Sequence, residues 1–123
     1  MIHGVGVDLV DIDRVRNLLK KNELKFLSRC FTKKEIEYSN KFSDPSKRLA
    51  ARFAAKEAVM KSLGYGWRQI NWKDIEITGG GKPTVHLKNT AYDKATEKEI
   101  NLIHVSLSHE NSKAIAFAVS EKK

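Results

Sequence analysis

The chain has 123 residues, a single cysteine and a formal charge of +8. That length, without a Pro/Gly/Ser-rich interior stretch, implies one domain over residues 1–123, with a core modest enough that a partner subunit is expected. One cysteine excludes an intrachain disulfide and a cysteine-based zinc cluster, and with no signal-like N-terminus or membrane-length apolar run the chain reads as soluble and cytoplasmic.

From Arg14 to Lys34 there are eight basic residues against one acid, Glu23, a net of +7, which leaves +1 for the rest of the chain. Such a segment marks an anionic partner, whether nucleic acid, lipid or an acidic protein.

Ile2 to Leu9 alternates as a strand, with His3, Val5, Val7 and Leu9 on one face and Ile2, Gly4, Gly6 and Asp8 on the other. Two glycines beside an acid mark a face where another backbone or a ligand comes close. Asp11 can cap a helix with apolar positions Ile12, Val15, Leu18 and Leu19 that stops near Asn22, and a second short helix is expected over Leu24 to Arg29. Thr32-Lys33-Lys34-Glu35 has the spacing of a capping box. The longest helix should run from Pro45, after Asp44 as cap, to Leu63, before Gly64 as stop.

Ile75 and Ile77 alternate with polar residues, Val85 and Leu87 do the same, and Gly79-Gly80-Gly81 between them supplies a hairpin turn. A short helix is expected over Thr90 to Glu99. Ile103, Val105 and Leu107 then oppose His104, Ser106 and Ser108, and Ile115, Phe117 and Val119 oppose Ala114, Ala116 and Ala118, an alanine face that invites a close helix. A strand, then helices, then two hairpins predict an α+β domain whose antiparallel sheet packs on the long helix.

On that helix Glu57 falls in an arc with Ala50, Phe53, Ala54 and Met60, and Lys61 follows at i+4. The plain reading is a helix-surface pair worth about 0.2–0.5 kcal/mol. Asp8, at the end of the glycine face, favours another: a close helix would bring a second carboxylate beside Glu57, and two acids with one lysine suit a magnesium-diphosphate site. Other chemistry is rejected. Gly79-Gly80-Gly81-Lys82 is followed by proline and lacks the first glycine of a phosphate loop. Ser106 and Ser108 sit on a strand, without a nucleophile elbow. His3, His104 and His109 match no zinc spacing, and Cys30 reads as a buried small apolar residue.

Gly6-Val7-Asp8-Leu9-Val10-Asp11-Ile12-Asp13-Arg14 and Arg52-Phe53-Ala54-Ala55-Lys56-Glu57-Ala58, with Lys61 and Leu63-Gly64, resemble the two signature blocks of bacterial holo-acyl-carrier-protein synthases. Asp74-Ile75-Glu76-Ile77, Gly81-Lys82-Pro83 and His104 to His109 follow in that family's order. The resemblance implies a 4'-phosphopantetheinyl transferase fold, usually a homotrimer with sites between subunits, and transfer of the phosphopantetheine of coenzyme A to a carrier-protein serine in fatty acid biosynthesis. It implies that Asp8 and Glu57 hold Mg²⁺ and that Lys61 meets the diphosphate. Gly64, Arg52, Pro83 and His104 would border coenzyme A, with adenine near Pro83. Glu57, Asp8 or a metal-bound water would take the serine proton.

Arg14, Leu18 and Lys21 share one helical stripe, and in the resembling family this region meets the acidic helix of the carrier protein, with Lys25, Phe26 and Arg29 extending the surface. Two other functions compete for the basic segment, a small RNA-binding domain and a non-catalytic adaptor for an acidic protein. Phe26 and Phe31, its only aromatics, do not form an RNA-stacking signature, so no nucleic-acid or membrane partner is expected.

Overall fold

Strand β1 (Ile2–Asp11) opens the computed structural model, which describes all of residues 1–123. It is followed by α1 (Ile12–Cys30), α2 (Lys33–Ser39), α3 (Pro45–Leu63), a 3-10 turn (Trp72–Asp74), β2 (Ile75–Thr78), β3 (Thr84–Leu87), α4 (Asn89–Glu97), β4 (Leu102–His109) and β5 (Lys113–Glu121). No helix is long and apolar enough to cross a membrane.

Local chemistry sets most of these limits. The Asp11 carboxylate accepts the Asp13 N–H at 3.2 Å, so the last strand residue is also the cap of α1. The two helices expected on either side of Asn22 are both present within the span of α1: Asn22 leaves helical geometry, at φ −151 and ψ 54, and separates them by a kink. Leu19 before the bend and Phe26 and Leu27 after it pack on the same core, which holds both halves in place. The Thr32–Glu35 capping box forms as expected. Asp44 caps α3, and Gly64 ends it at φ +84, a conformation that glycine adopts without strain.

The antiparallel pairing is divided between two sheets rather than gathered in one. Strands β1, β5 and β4 form a three-stranded sheet with β5 in the middle, and β2 and β3 form a separate hairpin. Helix α3 lies on the larger sheet against Ala114, Ala116 and Ala118 of β5, all fully buried. On β1 the approach is closer still. A Cβ added at Gly6 would stand 2.9 Å from both Lys61 Cβ and Ser62 N and would strike the Ala58 carbonyl oxygen, while one at Gly4 would strike the Ser62 carbonyl. The glycine face therefore exists to admit the helix backbone.

α3 is enclosed on almost every side, by the sheet, α1, α2 and β2. Along its middle only Phe53, Glu57 and Lys61, at i, i+4 and i+8, keep contact with solvent. This corrects the expectation that Glu57 interrupts a buried arc: it belongs to the one open lane of an otherwise buried helix.

Candidate active site

Three of the expected residues converge where β1 crosses α3. Asp8 follows Gly6 on the helix-facing side of β1, and its side chain keeps 12% of its accessible surface. Lys61 Nζ lies 3.3 Å from Asp8 Oδ1 and donates to the Val7 carbonyl oxygen at 3.0 Å. Lys61 thus pairs with Asp8 across the fold, and the helix-surface pair with Glu57 is not what holds it. Glu57 stands beside Asp8, and its carboxyl is pushed up to about 7. Burial is the main cause, followed by the nearby carboxyl and negative charge of Asp8; Lys61 and Arg14 oppose the shift.

Two carboxylates in contact share a proton near neutral pH unless a cation replaces it. That donor set, two hard oxygens with excess negative charge, fits Mg²⁺, which commonly takes one or two protein carboxylates and completes its shell with substrate oxygens and water. No group of three or more His, Cys, Asp or Glu residues stands close enough for an all-protein cage.

The acids lie at the edge of a groove. One hollow of about 300 Å³ is bordered by Asp8, Arg14, Leu18, Phe26, Phe53 and Glu57. A second, of about 390 Å³, shares the last five of these and continues past Lys25 and Arg29 of α1 to Trp67 and Trp72. Its floor is rigid, with the Phe53 and Trp72 rings stacked at 4.5 Å and Phe26 set against Phe53 at 5.9 Å. The largest cavity, about 820 Å³, lies elsewhere, between β3, α4 and β4, and contains no pair of acids.

Of the expected docking residues, Arg14, Leu18, Lys25, Phe26 and Arg29 border this groove, and Lys21 lines a neighbouring hollow with Arg14 and Leu18. Arg14, Leu18 and Lys21 are exposed on α1 while Ile12 and Val15 are buried, so the stripe faces outward as read from the sequence. Arg14 also comes near enough to Glu57 to act on its charge. Not all of the basic segment is free for a partner, because Arg16 is engaged by Asp13 and, at 2.6 Å, by Asp44.

The remaining expected residues are placed elsewhere. Arg52 is 3% exposed, lies over the Tyr38 ring at 4.2 Å and donates to the Gly79 carbonyl oxygen at 3.1 Å, while its Nε is buried without a partner. It sits under the β2–β3 turn that Pro83 closes. Gly64 is exposed just beyond α3. His104 is on the sheet face turned away from α3, paired with Val119 and bonded to Glu121 at 2.7 Å. Within one chain, Arg52, Pro83 and His104 do not border the Asp8–Glu57 hollow.

The sequence reading passed over a fully buried ion pair, Lys56 with Glu35 at 2.8 Å. Lys56 also donates to the carbonyl oxygens of Trp72 and Ile75, and Glu35 accepts from the Ile77 N–H. Burial lowers the Lys56 pKa against the opposing charge of Glu35. No sequence signal marked it: Arg48, Arg52 and Lys56 follow at i, i+4 and i+8 on α3, which reads as a polar stripe, and only packing shows that Lys56 is buried. Trp67 and Trp72 were also missed, since neither belongs to an amphipathic repeat.

Comparison with known proteins identifies the family and the fold. The sequence model of the 4'-phosphopantetheinyl transferase superfamily matches residues 4–118. The holo-[acyl-carrier-protein] synthase of Clostridium tetani is 42% identical over 123 residues, which cover 98% of this chain and 97% of that one. The crystal structure of the holo-[acyl-carrier-protein] synthase of Neisseria meningitidis superposes with a TM-score of 0.89 at 34% identity, covering 99% of this chain and 100% of that one. The Helicobacter pylori enzyme of the same name, solved in complex with coenzyme A, superposes at 0.83 with 31% identity, over 95% of this chain and 99% of that one.

Proposed function

This chain belongs to the 4'-phosphopantetheinyl transferase superfamily, and we propose that it transfers the phosphopantetheine arm of coenzyme A to a serine of apo-acyl carrier protein, releasing adenosine 3',5'-bisphosphate. The observation that carries this reading is the meeting of Asp8, Glu57 and Lys61 at the edge of a groove whose rim is cationic. An RNA-binding surface fits less well, because two carboxylates at the groove would repel a phosphate backbone.

Asp8 and Glu57 would hold Mg²⁺, which would supply charge neutralisation at the diphosphate. Lys61, flexible and half exposed, would place its ammonium on the diphosphate oxygens as a point charge. The serine Oγ attacks the phosphorus that bears the pantetheine arm, the bond from that phosphorus to the nucleotide's bridging oxygen breaks, and the serine proton passes to a carboxylate. Glu57 suits that task better than Asp8. Lys61 engages Asp8 directly, which leaves Glu57 the freer of the two carboxylates to accept a proton. Phosphoryl transfer asks little more of a protein than such positioning and neutralisation.

The active assembly would be a homotrimer. Val5, Val7, Leu9, Ile115 and Phe117 leave the sheet face opposite α3 apolar and exposed, as expected of a surface that a second subunit covers. Family resemblance supplies the number three. Such an assembly would also let His104, which lies on that same face, reach a neighbour's coenzyme A. The reaction would serve fatty acid biosynthesis in the cytoplasm. The test is the intact mass of an apo-acyl carrier protein incubated with this chain, coenzyme A and Mg²⁺. A gain of one phosphopantetheine is expected, and an unchanged mass overturns the reading.

A further inference from the structure

The groove beside Glu57 has two walls, and helix α1 supplies only one of them. The other is Trp67, on the segment between α3 and the 3-10 turn. The two tryptophans of the chain are treated oppositely by the fold. Trp72 is 8% exposed and stacked on Phe53, whereas Trp67 keeps 51% of its surface in solvent. Burial is not what fixes the Trp67 indole. Two guanidinium groups lie near its ring, Arg29 of α1 at 5.8 Å and its neighbour Arg68 at 5.4 Å, both within reach of a cation–π contact.

This arrangement has the composition of a binding anchor. A half-exposed indole near two arginines and continuous with an apolar floor combines the residue types that dominate interface energetics, Trp and Arg. The charge states what would lie there. Arg14, Lys25 and Arg29 line the hollow and Arg68 lies near the Trp67 ring, while Glu57, at the reaction centre, is the only acid bordering the hollow. An occupant with acidic and apolar residues on one helical face meets the rim with its charges and the Phe53–Trp72 floor with its apolar side. Because the hollow that ends at Trp67 also reaches Glu57, such an occupant is held next to the reacting atoms.

We infer that Trp67, with Arg29 and Arg68 near its ring, is the anchor of a second wall against which the acyl carrier protein docks, and that it contributes to the choice of carrier. The inference rests on the carrier-protein reading above. The two walls act differently: the α1 charges steer encounter and govern the association rate, whereas a desolvated indole slows dissociation.

Two variants, Trp67→Ala and Trp67→Phe, test this in the full-length chain. Trp67→Ala should raise KM for apo-carrier protein about tenfold or more, with KM for coenzyme A within about twofold of wild type, and Trp67→Phe should recover most of the loss. Titration of the wild-type chain with apo-carrier protein, without coenzyme A, should shift the tryptophan emission, and Trp67→Phe, which leaves only Trp72 on the groove floor, should lose most of the shift. This titration needs no turnover, so it judges the anchor separately from the transfer reaction. A carrier KM within about twofold of wild type in Trp67→Ala, equal damage to both KM values, or an emission shift as large in Trp67→Phe as in wild type would overturn the inference. So would a change in oligomer size in Trp67→Ala by light scattering, which would assign the indole to a subunit contact.

Discussion

Replacing Gly6 by alanine should damage the active site without touching a reactive group. The added Cβ would stand 2.9 Å from Lys61 Cβ and from Ser62 N and would press on the Ala58 carbonyl oxygen. Ordinary contacts of this kind lie near 3.5–4.0 Å, so β1 and α3 must separate by roughly 0.6 Å or more. The obstructing atoms are mostly backbone, which cannot rotate away, so the overpacking should reach the upper part of its usual range, about 3 kcal/mol. For a chain of this length that is about 10 °C in Tm. Asp8 lies two residues along the same strand face and would move with it, lengthening its 3.3 Å contact with Lys61 and altering its approach to Glu57. A displacement approaching 1 Å at reacting groups can reduce turnover by about 100-fold, so Gly6→Ala should lose about tenfold to 100-fold in kcat. Gly66→Ala is the control: its Cβ would meet nothing nearer than Gln69 Oε1 at 3.8 Å, so stability should be unchanged or slightly raised. Thermal unfolding at fixed protein concentration, with steady-state kinetics, measures both effects. If Gly6→Ala unfolds within about 2 °C of wild type and turns over normally, the close approach of β1 and α3 does not set the site.

Asp8→Asn and Glu57→Gln should each remove most turnover and leave the fold intact. In EDTA the native Glu57 carboxyl binds its proton up to about pH 7, against an ordinary value of 4.5; the native state therefore holds more protons in that window, and wild-type stability should fall as pH rises through it, a fall that Glu57→Gln flattens in urea titrations. Lys56→Met leaves Glu35 charged and fully buried, so it should destabilise the chain by about 3–5 kcal/mol; a loss under about 1 kcal/mol would show that the pair does not anchor α3. Phe117→Glu places a charge on the exposed sheet face, and light scattering should show dissociation with loss of activity; an intact, active oligomer would place the interface elsewhere. Lys21→Glu should raise KM for the carrier protein, slow association and flatten its salt dependence, with little change for coenzyme A. It is a cleaner probe than Arg14, which lies close enough to Glu57 to act on its charge, and equal damage to both KM values would end its assignment to docking.

Much of this molecule is local chemistry and could be read directly from the chain. The caps at Asp11, Thr32 and Asp44 and the left-handed stop at Gly64 act over a few residues, and all are found where the residue types place them. The glycine face of β1 and the alanine face of β5 announced a close helix, because a face without side chains has no other packing use. The acid pair and Lys61 were legible once that closeness was granted. Tertiary structure decided the rest. Periodicity gives the direction of a side chain from its helix but not what covers each side, so Glu57, read as sunk in an apolar arc, lies in the one open lane, and Lys56 beside it is the buried charge. Asn22 separates the two helical halves of α1 as its place in the sequence suggests, and the core shared by the residues on either side sets how those halves lie together. Arg16, counted among the free cations of the basic segment, is engaged by Asp44, which is distant in sequence. Trp67 carries no periodic signal, and only packing shows that it faces α1 across a groove. Short-range geometry follows from bonded sterics and nearest hydrogen bonds, whereas the environment of a side chain is set by segments far away in the chain, whose approach is a property of the packed whole.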